Sequence, residues 1–187
     1  HSVTGVFNDN DFLAQLLDAC GRIGAAPLLD VIVDMTPVDT AAAALVRLAQ
    51  GKPERPVLHL VHPQPPSWSQ VLETAIDLGY PLRLVSHARF RSMLHELVAR
   101  DERTTFLEYL AALSSEDIEA SLRGGYASEI TREALGSGFE WPAIDARLIG
   151  TYLQAMSDAG RFWLGPRKRS SLGPPSSRSS ARWAASK

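Results

Sequence analysis

His59 and His62 lie three residues apart in the run Leu58-His59-Leu60-Val61-His62-Pro63. Two imidazoles this close raise the chemistry of a metal site. The run is apolar and partly β-branched, which favours a strand, and residues three apart on a strand point to opposite faces. No carboxylate or thiol lies close in sequence to complete a ligand set. The pattern therefore fits a half-buried strand histidine and a loop histidine better than a metal centre. His87 and His95, eight apart on a helical stretch, fit a solvated face. Cys20, the single cysteine, falls on an apolar helical stripe, as a small core residue does. Only Arg22 is near enough in sequence to activate it. Asp39 has the chemistry of a catalytic acid, but its place before the Ala-rich stretch Thr40–Gln50 gives it a helix-capping role.

Several common catalytic motifs are absent from the chain. No strand leads into a G-x-G-x-x-G turn, and there is neither a phosphate loop nor a G-x-S-x-G nucleophile turn. The residues four after Tyr80, Tyr109, Tyr126 and Tyr152 are Leu84, Leu113, Ile130 and Met156, so no Tyr-x-x-x-Lys pair exists. The glycine pairs Gly21/Gly24, Gly124/Gly125 and Gly136/Gly138 sit at expected helix ends and read as caps or turns. No catalytic residue and no metal ligand is assigned.

The elements that would position these side chains form two groups. His1–Asn8 reads as a loop with Gly5 at a turn. A helix is expected over 11–23, opened by Asn10 and closed by Gly24. Val31-Ile32-Val33 suggests a strand ending before Pro37, and Asp39 then caps a helix running to Gly51. Val57–Val61 reads as a buried strand. Ser67 and Gln70 form a capping-box pair at the head of a helix. Leu82–Val85 is a further strand, and Ser86 caps a helix over 87–100. Beyond Thr104 only helices are expected: 104–113, 114–122, 128–135 and 141–160. Pro142 takes a first helical position in the last, whose apolar face carries Ile144, Leu148, Tyr152 and Met156, with Ile149 alongside. Strands alternating with helices, then a helical cluster, indicate an α/β class. No internal repeat is present.

The 187 residues suffice for one domain or one lobe, and 45% hydrophobic content supports a core. The net charge of −2 conceals an uneven distribution. Segment 164–187 carries six basic residues and no acid, leaving thirteen basic against twenty-one acidic side chains in 1–163. An acidic body argues against nucleic acid as a partner. The Ser/Pro/Arg-rich tail 164–187 is expected to be disordered. One cysteine excludes a disulfide framework. With no apolar run near the roughly 20 residues that span a bilayer and no secretory leader, a cytoplasmic chain without a membrane partner is expected. The first residue is His rather than Met, which suggests a fragment.

Four segments resemble the C-terminal part of a thioester reductase domain. These are the reductive release domains of nonribosomal peptide and polyketide synthetases and of carboxylate and aminoadipate reductases, within the extended short-chain dehydrogenase/reductase superfamily. The segments are Ser2-Val3-Thr4-Gly5-Val6-Phe7-Asn8 with Asp11-Phe12; Thr36-Pro37-Val38-Asp39 and its Ala-rich sequel; Leu58–Pro63 with Ser67-Trp68; and Trp141-Pro142-Ala143-Ile144-Asp145 with Tyr152 and Gly160. The resemblance covers about residues 1–163. His62 departs from it, standing where the family often has Asn.

The resemblance implies a Rossmann-like extended reductase fold, of which this chain supplies mainly the substrate lobe. It also implies NADPH as hydride donor and a carrier-bound phosphopantetheine thioester as substrate, released as aldehyde or alcohol. The catalytic Thr/Tyr/Lys set and most of the NADPH site would lie in an upstream nucleotide-binding half, and the isolated chain would be inactive. Within the lobe, Ser2, Thr4, Gly5, Phe7 and Asn8 would face the substrate–cofactor cleft. The helices beyond Thr104 would wall an acyl channel, while Arg89, Arg91, Arg100 and Arg103 would dock an acidic carrier protein. The alternatives are a non-redox release domain that cyclises its thioester, a stand-alone binding module, and a nucleotide-sugar-type extended reductase.

Overall fold

The structure, a computed structural model, describes residues 1–51, 57–100, 105–124 and 126–161. The tail 164–187 and Arg103 lie outside the described residues. Ten elements follow in chain order: α1 (Phe12–Ile23), β1 (Ala25–Pro27), α2 (Val38–Gly51), α3 (Trp68–Asp77), β2 (Arg83–Val85), α4 (His87–Ala99), α5 (Thr105–Ala112), α6 (Ser115–Leu122), α7 (Glu129–Leu135) and α8 (Ala146–Asp158). The expected α/β class holds, weighted towards helix.

Local signals set most helix ends. Ser67 accepts from the Gln70 N–H while the Gln70 side chain accepts from the Ser67 N–H, a complete capping box opening α3. Ser86 caps α4 through the Arg89 N–H, and Gly24, at φ 66°, closes α1. The cap of α1 is Asp11 rather than Asn10: its carboxylate accepts from the Ala14 N–H at 3.1 Å. A carboxylate also suits the positive end of the helix dipole better than an amide.

The strands depart further from expectation. The sheet has two parallel strands, with Ala25, Ala26 and Pro27 opposite Arg83, Leu84 and Val85. β1 lacks any β-branched residue; it forms because α1 delivers it to β2, and α1 and α4 pack over it. Val31–Val33, expected as a strand, makes only single bridges, Ile32 to Ser67 and Val33 to Arg123. It is an extended staple between the N-cap of α3 and the C-cap of α6, too briefly paired to make a ladder. Val57–Val61 has no ladder partner among the described residues. The last helix begins at Ala146, capped by Asp145, rather than at Pro142. The Pro142 carbonyl instead accepts a side-chain hydrogen bond from another part of the chain, described below.

Two apolar clusters result. The larger joins α1, α3, α4, α5, α6 and α8 to the sheet around Leu16, Trp68, Phe90, Leu94 and Leu153. Cys20 sits there fully buried, and that burial drives its thiol pKa far up, as expected of a core residue. The smaller cluster packs Ala44 and Leu48 of α2 on Leu135 of α7, with Leu58, Leu60, Phe139 and Trp141 around them.

Candidate functional site

The four singled-out segments converge in space. Asp39 lies within the first turn of α2, and its carboxylate bonds to Ser2 rather than capping that helix from outside. It accepts two hydrogen bonds from Ser2, from N–H at 3.0 Å and from Oγ at 2.5 Å. Three residues earlier, Thr36 Oγ1 accepts from the His62 N–H at 2.8 Å. The His62 ring then spans the third and fourth segments. Its Nδ1 accepts from the Gln64 N–H at 3.1 Å, which leaves Nε2 as the protonated nitrogen, donating to the Pro142 carbonyl at 2.8 Å. Trp141 meets the same imidazole edge-on at 5.6 Å. The hydrogen bonds thus run from Ser2 to Asp39, through α2's lead-in to Thr36, and on to His62 and Pro142. His62 is buried and fully used in this relay, whereas His59 is exposed and stacked on Tyr126. Among the described residues no cluster of three or more metal-ligating side chains exists.

The first loop is shaped by Gly5. At φ 69° it adopts the left-handed conformation and lies against α8, where an added Cβ would sit 2.6 Å from the Thr151 carbonyl oxygen. Of the expected cleft residues, Ser2 is spent on Asp39, and Asn8 accepts from the Asn10 N–H at 3.0 Å in a turn before α1. Phe7 packs half-buried on the larger core. Thr4, exposed like Asn8, is the one of the five that lines a cleft. It stands at the rim of this cleft, of about 500 Å³, lined by Tyr80, Arg147, Thr151, Gln154 and Asp158 among others. Burial raises the Tyr80 phenol pKa and Asp158 adds to the rise; burial and then Asp39 do the same to Tyr152. Both phenols stay protonated at neutral pH and offer donors rather than bases.

The anchor of the loop is sensitive to pH. Burial raises the Asp39 carboxyl pKa, but the Ser2 hydrogen bonds outweigh it and the net displacement is downward. His1 Nδ1 lies 3.8 Å from the same carboxylate but accepts from the Val3 and Thr4 N–H groups, so the pair is not an ion pair. A carboxyl with a depressed folded pKa stabilises the fold above its unfolded value of about 3.9, and that stabilisation is lost as pH falls through the folded value. Thermal melts should therefore show Asp39→Asn less stable than the parent at pH 6, with the gap closing below about pH 4. A gap independent of pH would mean that the charge does not hold the loop.

Arg89, Arg91 and Arg100 are all exposed, yet they do not form one patch. Arg89 and Arg100, eleven residues apart with Arg100 at the C-cap of α4, fall on one side of that helix, while Arg91 is about 160° away from Arg89. Burial, and then Arg91, hold the His87 pKa below its usual value, against the opposing pull of Glu116 and Glu119 of α6. Sequence reasoning missed the tertiary partners, Ser2 with Asp39 and His62 with Pro142. The residue types were legible, but nothing local announces contacts 37 and 80 residues apart.

The described residues thus form a helix-rich α/β body with a short parallel sheet, its signature segments tied together by hydrogen bonds. Comparisons with known proteins say what this arrangement is similar to. No family model matches the chain. It is 32% identical over 157 residues to an isonitrile lipopeptide synthase of Streptomyces coeruleorubidus, matching 80% of this chain and 11% of that protein. A non-canonical nonribosomal peptide synthetase of Cladobotryum is 27% identical over 86% of this chain and 17% of its own length. The L-2-aminoadipate reductase of Schizosaccharomyces pombe is 24% identical over 77% of this chain and 10% of its own. Among solved structures, the terminal R domain of the myxalamid polyketide–peptide synthetase pathway superposes with a TM-score of 0.75 at 30% identity, over 89% of this chain and 43% of that one. A thiolation–reductase di-domain of an archaeal synthetase shares the fold, with a TM-score of 0.64 at 19% identity over 87% of this chain and 34% of its own.

The chain thus has the fold of part of a reductase domain. Its homologues are the reductase domains of nonribosomal peptide and polyketide synthetases and the aminoadipate reductases. It spans between a tenth and a sixth of the length of the curated relatives cited. No helix among the described residues is long and apolar enough to cross a membrane.

Proposed function

We propose that this chain forms the substrate side of an NADPH-dependent thioester reductase domain, which releases a carrier-bound acyl or peptidyl thioester as an aldehyde or alcohol. The observation that carries the reading is the likeness to the myxalamid terminal R domain, at 30% identity over 89% of the chain. The convergence of the four motif segments through Asp39, Thr36 and His62 supports it.

The chain's own residues do not fit a dinucleotide cradle. β2 runs through Ser86 directly into α4, and β1 is followed by residues 28–37, with no glycine in either exit. The pyrophosphate site of such folds needs that glycine-rich turn at a helix N-terminus. NADPH would therefore be held by the remainder of the domain. On this reading Thr4 at the rim of the 500 Å³ cleft is the loop residue best placed to meet substrate, and Ser2, Gly5, Phe7 and Asn8 hold the loop's shape.

A carrier-protein partner is supported by the thiolation–reductase di-domain among the fold relatives. Arg89 in α4 and Arg100 at its C-cap, on the same side of the helix, are the stronger docking pair. The aliphatic side chains of α5 and α6 are mostly core, Leu107, Leu110, Ile118 and Leu122 being buried. An acyl channel would therefore use other side chains of that region, such as the exposed Tyr109, Tyr126 and Ile130.

The test compares the 187-residue chain with the domain produced from its complete coding sequence. With an acyl-phosphopantetheine thioester, the chain alone should oxidise no NADPH above a buffer control, while the complete domain should yield aldehyde or alcohol with matching NADPH consumption. Thioester release without NADPH consumption by the complete domain would overturn the reading in favour of cyclisation.

A further inference from the structure

Of the two imidazoles in Leu58–Pro63, His62 is the one built into the fold, at 3% exposure. Its Nδ1 accepts from the Gln64 N–H, two residues on, at 3.1 Å. An Asn or Asp side chain closes a turn on its own backbone in the same way. The surrounding sequence, Pro63-Gln64-Pro65-Pro66, makes that bond count, because proline has no N–H. Gln64 therefore carries the one main-chain donor between His62 and Ser67, and the imidazole holds it. The Pro66 carbonyl accepts from the Val33 N–H at 2.9 Å, so the far end of the turn is tied separately. Gln64, Pro65 and Pro66 wall one side of a groove of about 400 Å³ between α3 and the lead-in to α8, which Gln70, Thr74 and Asp145 also line.

The opposite nitrogen makes the ring hard to displace. Nε2–H donates to the Pro142 carbonyl at 2.8 Å, and Trp141 packs edge-to-face on the ring. With both nitrogens engaged, only the neutral Nε2–H tautomer satisfies every contact. A second proton has to enter at Nδ1, where it would face the Gln64 N–H, donor against donor, in a buried site. The charged groups on the segments that meet the ring are already engaged or exposed. Asp34 accepts from Thr36 Oγ1, Asp39 from Ser2 and Asp145 from the Leu148 N–H. Glu140 is exposed, and no described residue forms an ion pair with His62.

We propose that His62 is a pH-sensitive latch on this groove. Neutral, its imidazole closes the Gln64 turn and fixes that wall. Protonated at Nδ1, it releases the Gln64 N–H and the turn opens, while Nε2–H stays on Pro142. An imidazole changes charge between about pH 8 and pH 5. The closed turn is therefore present in full at the upper end of that range and is lost as pH falls through it. His1 is the other imidazole whose Nδ1 accepts from main-chain N–H groups, but its charged form has the Asp39 carboxylate 3.8 Å away, so protonation does not leave it unpaired. All of the latch contacts lie within the chain, so it stands whether or not the reductase reading does.

The experiment is amide hydrogen exchange at Gln64 in the 187-residue chain, corrected for the intrinsic effect of pH. Protection of Gln64 should fall at least about tenfold between about pH 7.5 and pH 5.5, while core amides such as that of Leu153 keep theirs. Two amide isosteres separate the contacts of the ring. In His62→Asn, Oδ1 takes the place of Nδ1 and accepts at any pH, so Gln64 should stay protected under both conditions. In His62→Gln, the longer side chain offers its NH2 to Pro142 and nothing to Gln64, which should exchange freely under both. Equal protection of Gln64 at the two pH values in the parent would overturn the latch. So would the same loss in His62→Asn, which would assign the titration to another group, or a loss shared by Leu153, which would be global unfolding. Should a variant fail to fold, ring-nitrogen NMR shifts of the parent decide. Nδ1 already protonated at about pH 7.5 overturns the proposal, and Nδ1 gaining its proton in step with the loss at Gln64 upholds it.

Discussion

Replacing Trp68 by Ala should lower the unfolding free energy of the chain by about 3–5 kcal/mol, the range for removing a fully buried aromatic side chain. Trp68 has no solvent exposure, and its Nε1–H donates to the Pro27 carbonyl at 2.8 Å in a buried setting. The indole therefore fills the centre of the larger core and also satisfies the last residue of β1, a proline that cannot itself donate to a ladder. Trp68→Phe separates the two roles. It keeps most of the volume but leaves the Pro27 oxygen without its buried donor, at a cost of about 1–3 kcal/mol. Denaturant melts followed by far-ultraviolet circular dichroism measure both. A Trp68→Ala chain within about 1 kcal/mol of the parent would show that the core collapses around the gap at little cost.

Gly5→Ala should cost about 3 kcal/mol, seen as a fall in Tm of about 6–12 °C for a chain of this size. Two terms combine. An L-residue at φ 69° bears the left-handed penalty of about 1–2 kcal/mol. The new Cβ would also clash with both the Thr151 carbonyl oxygen at 2.6 Å and the Ala155 methyl at 2.7 Å, so the loop or α8 must shift. Gly160 supplies the control. It has nearly the same φ, 70°, with nothing within 4 Å of an added Cβ, so Gly160→Ala should show the backbone term alone. Equal losses at the two positions would mean that the loop swings away from α8 freely and that Gly5 is not what seats it.

These two residues show how far the sequence could be read. Ser67, Trp68 and Gly5 all belong to the segments whose resemblance pointed to a reductase, and their physical work here is structural: a cap, a core anchor and a left-handed contact. Helix ends set by neighbouring residues, such as Ser67 with Gln70 and Ser86 with Arg89, were legible because the whole interaction lies within four residues. Asp39 was misread for the opposite reason. Its type and position satisfied the capping rule, but Ser2, 37 residues earlier, offers two donors and takes the carboxylate. Pro142 likewise looked like a helix start until Asp145 and His62 competed for the segment. The strands were least legible. Ala25–Pro27 carries no strand signature yet is paired, and Val57–Val61 carries a strong one without a ladder partner among the described residues, because pairing is decided by what lies across the gap and not within the run.

The pairing of β1 with β2 also orders the events of folding. Ala25 meets Arg83 only after the intervening 57 residues have closed into a loop, whereas each capped helix can form from neighbours alone. Loop closure costs entropy before any contact repays it, and long-range parallel pairing is correspondingly slow. Helices α1, α3 and α4 should therefore be present in the early ensemble, with the sheet and the Trp68–Pro27 bond completed late. During synthesis from the N-terminus, β1 must wait, apolar and unpaired, until the ribosome has released β2. That interval is when this chain is most exposed to wrong partners, and its length is set by the rate of translation.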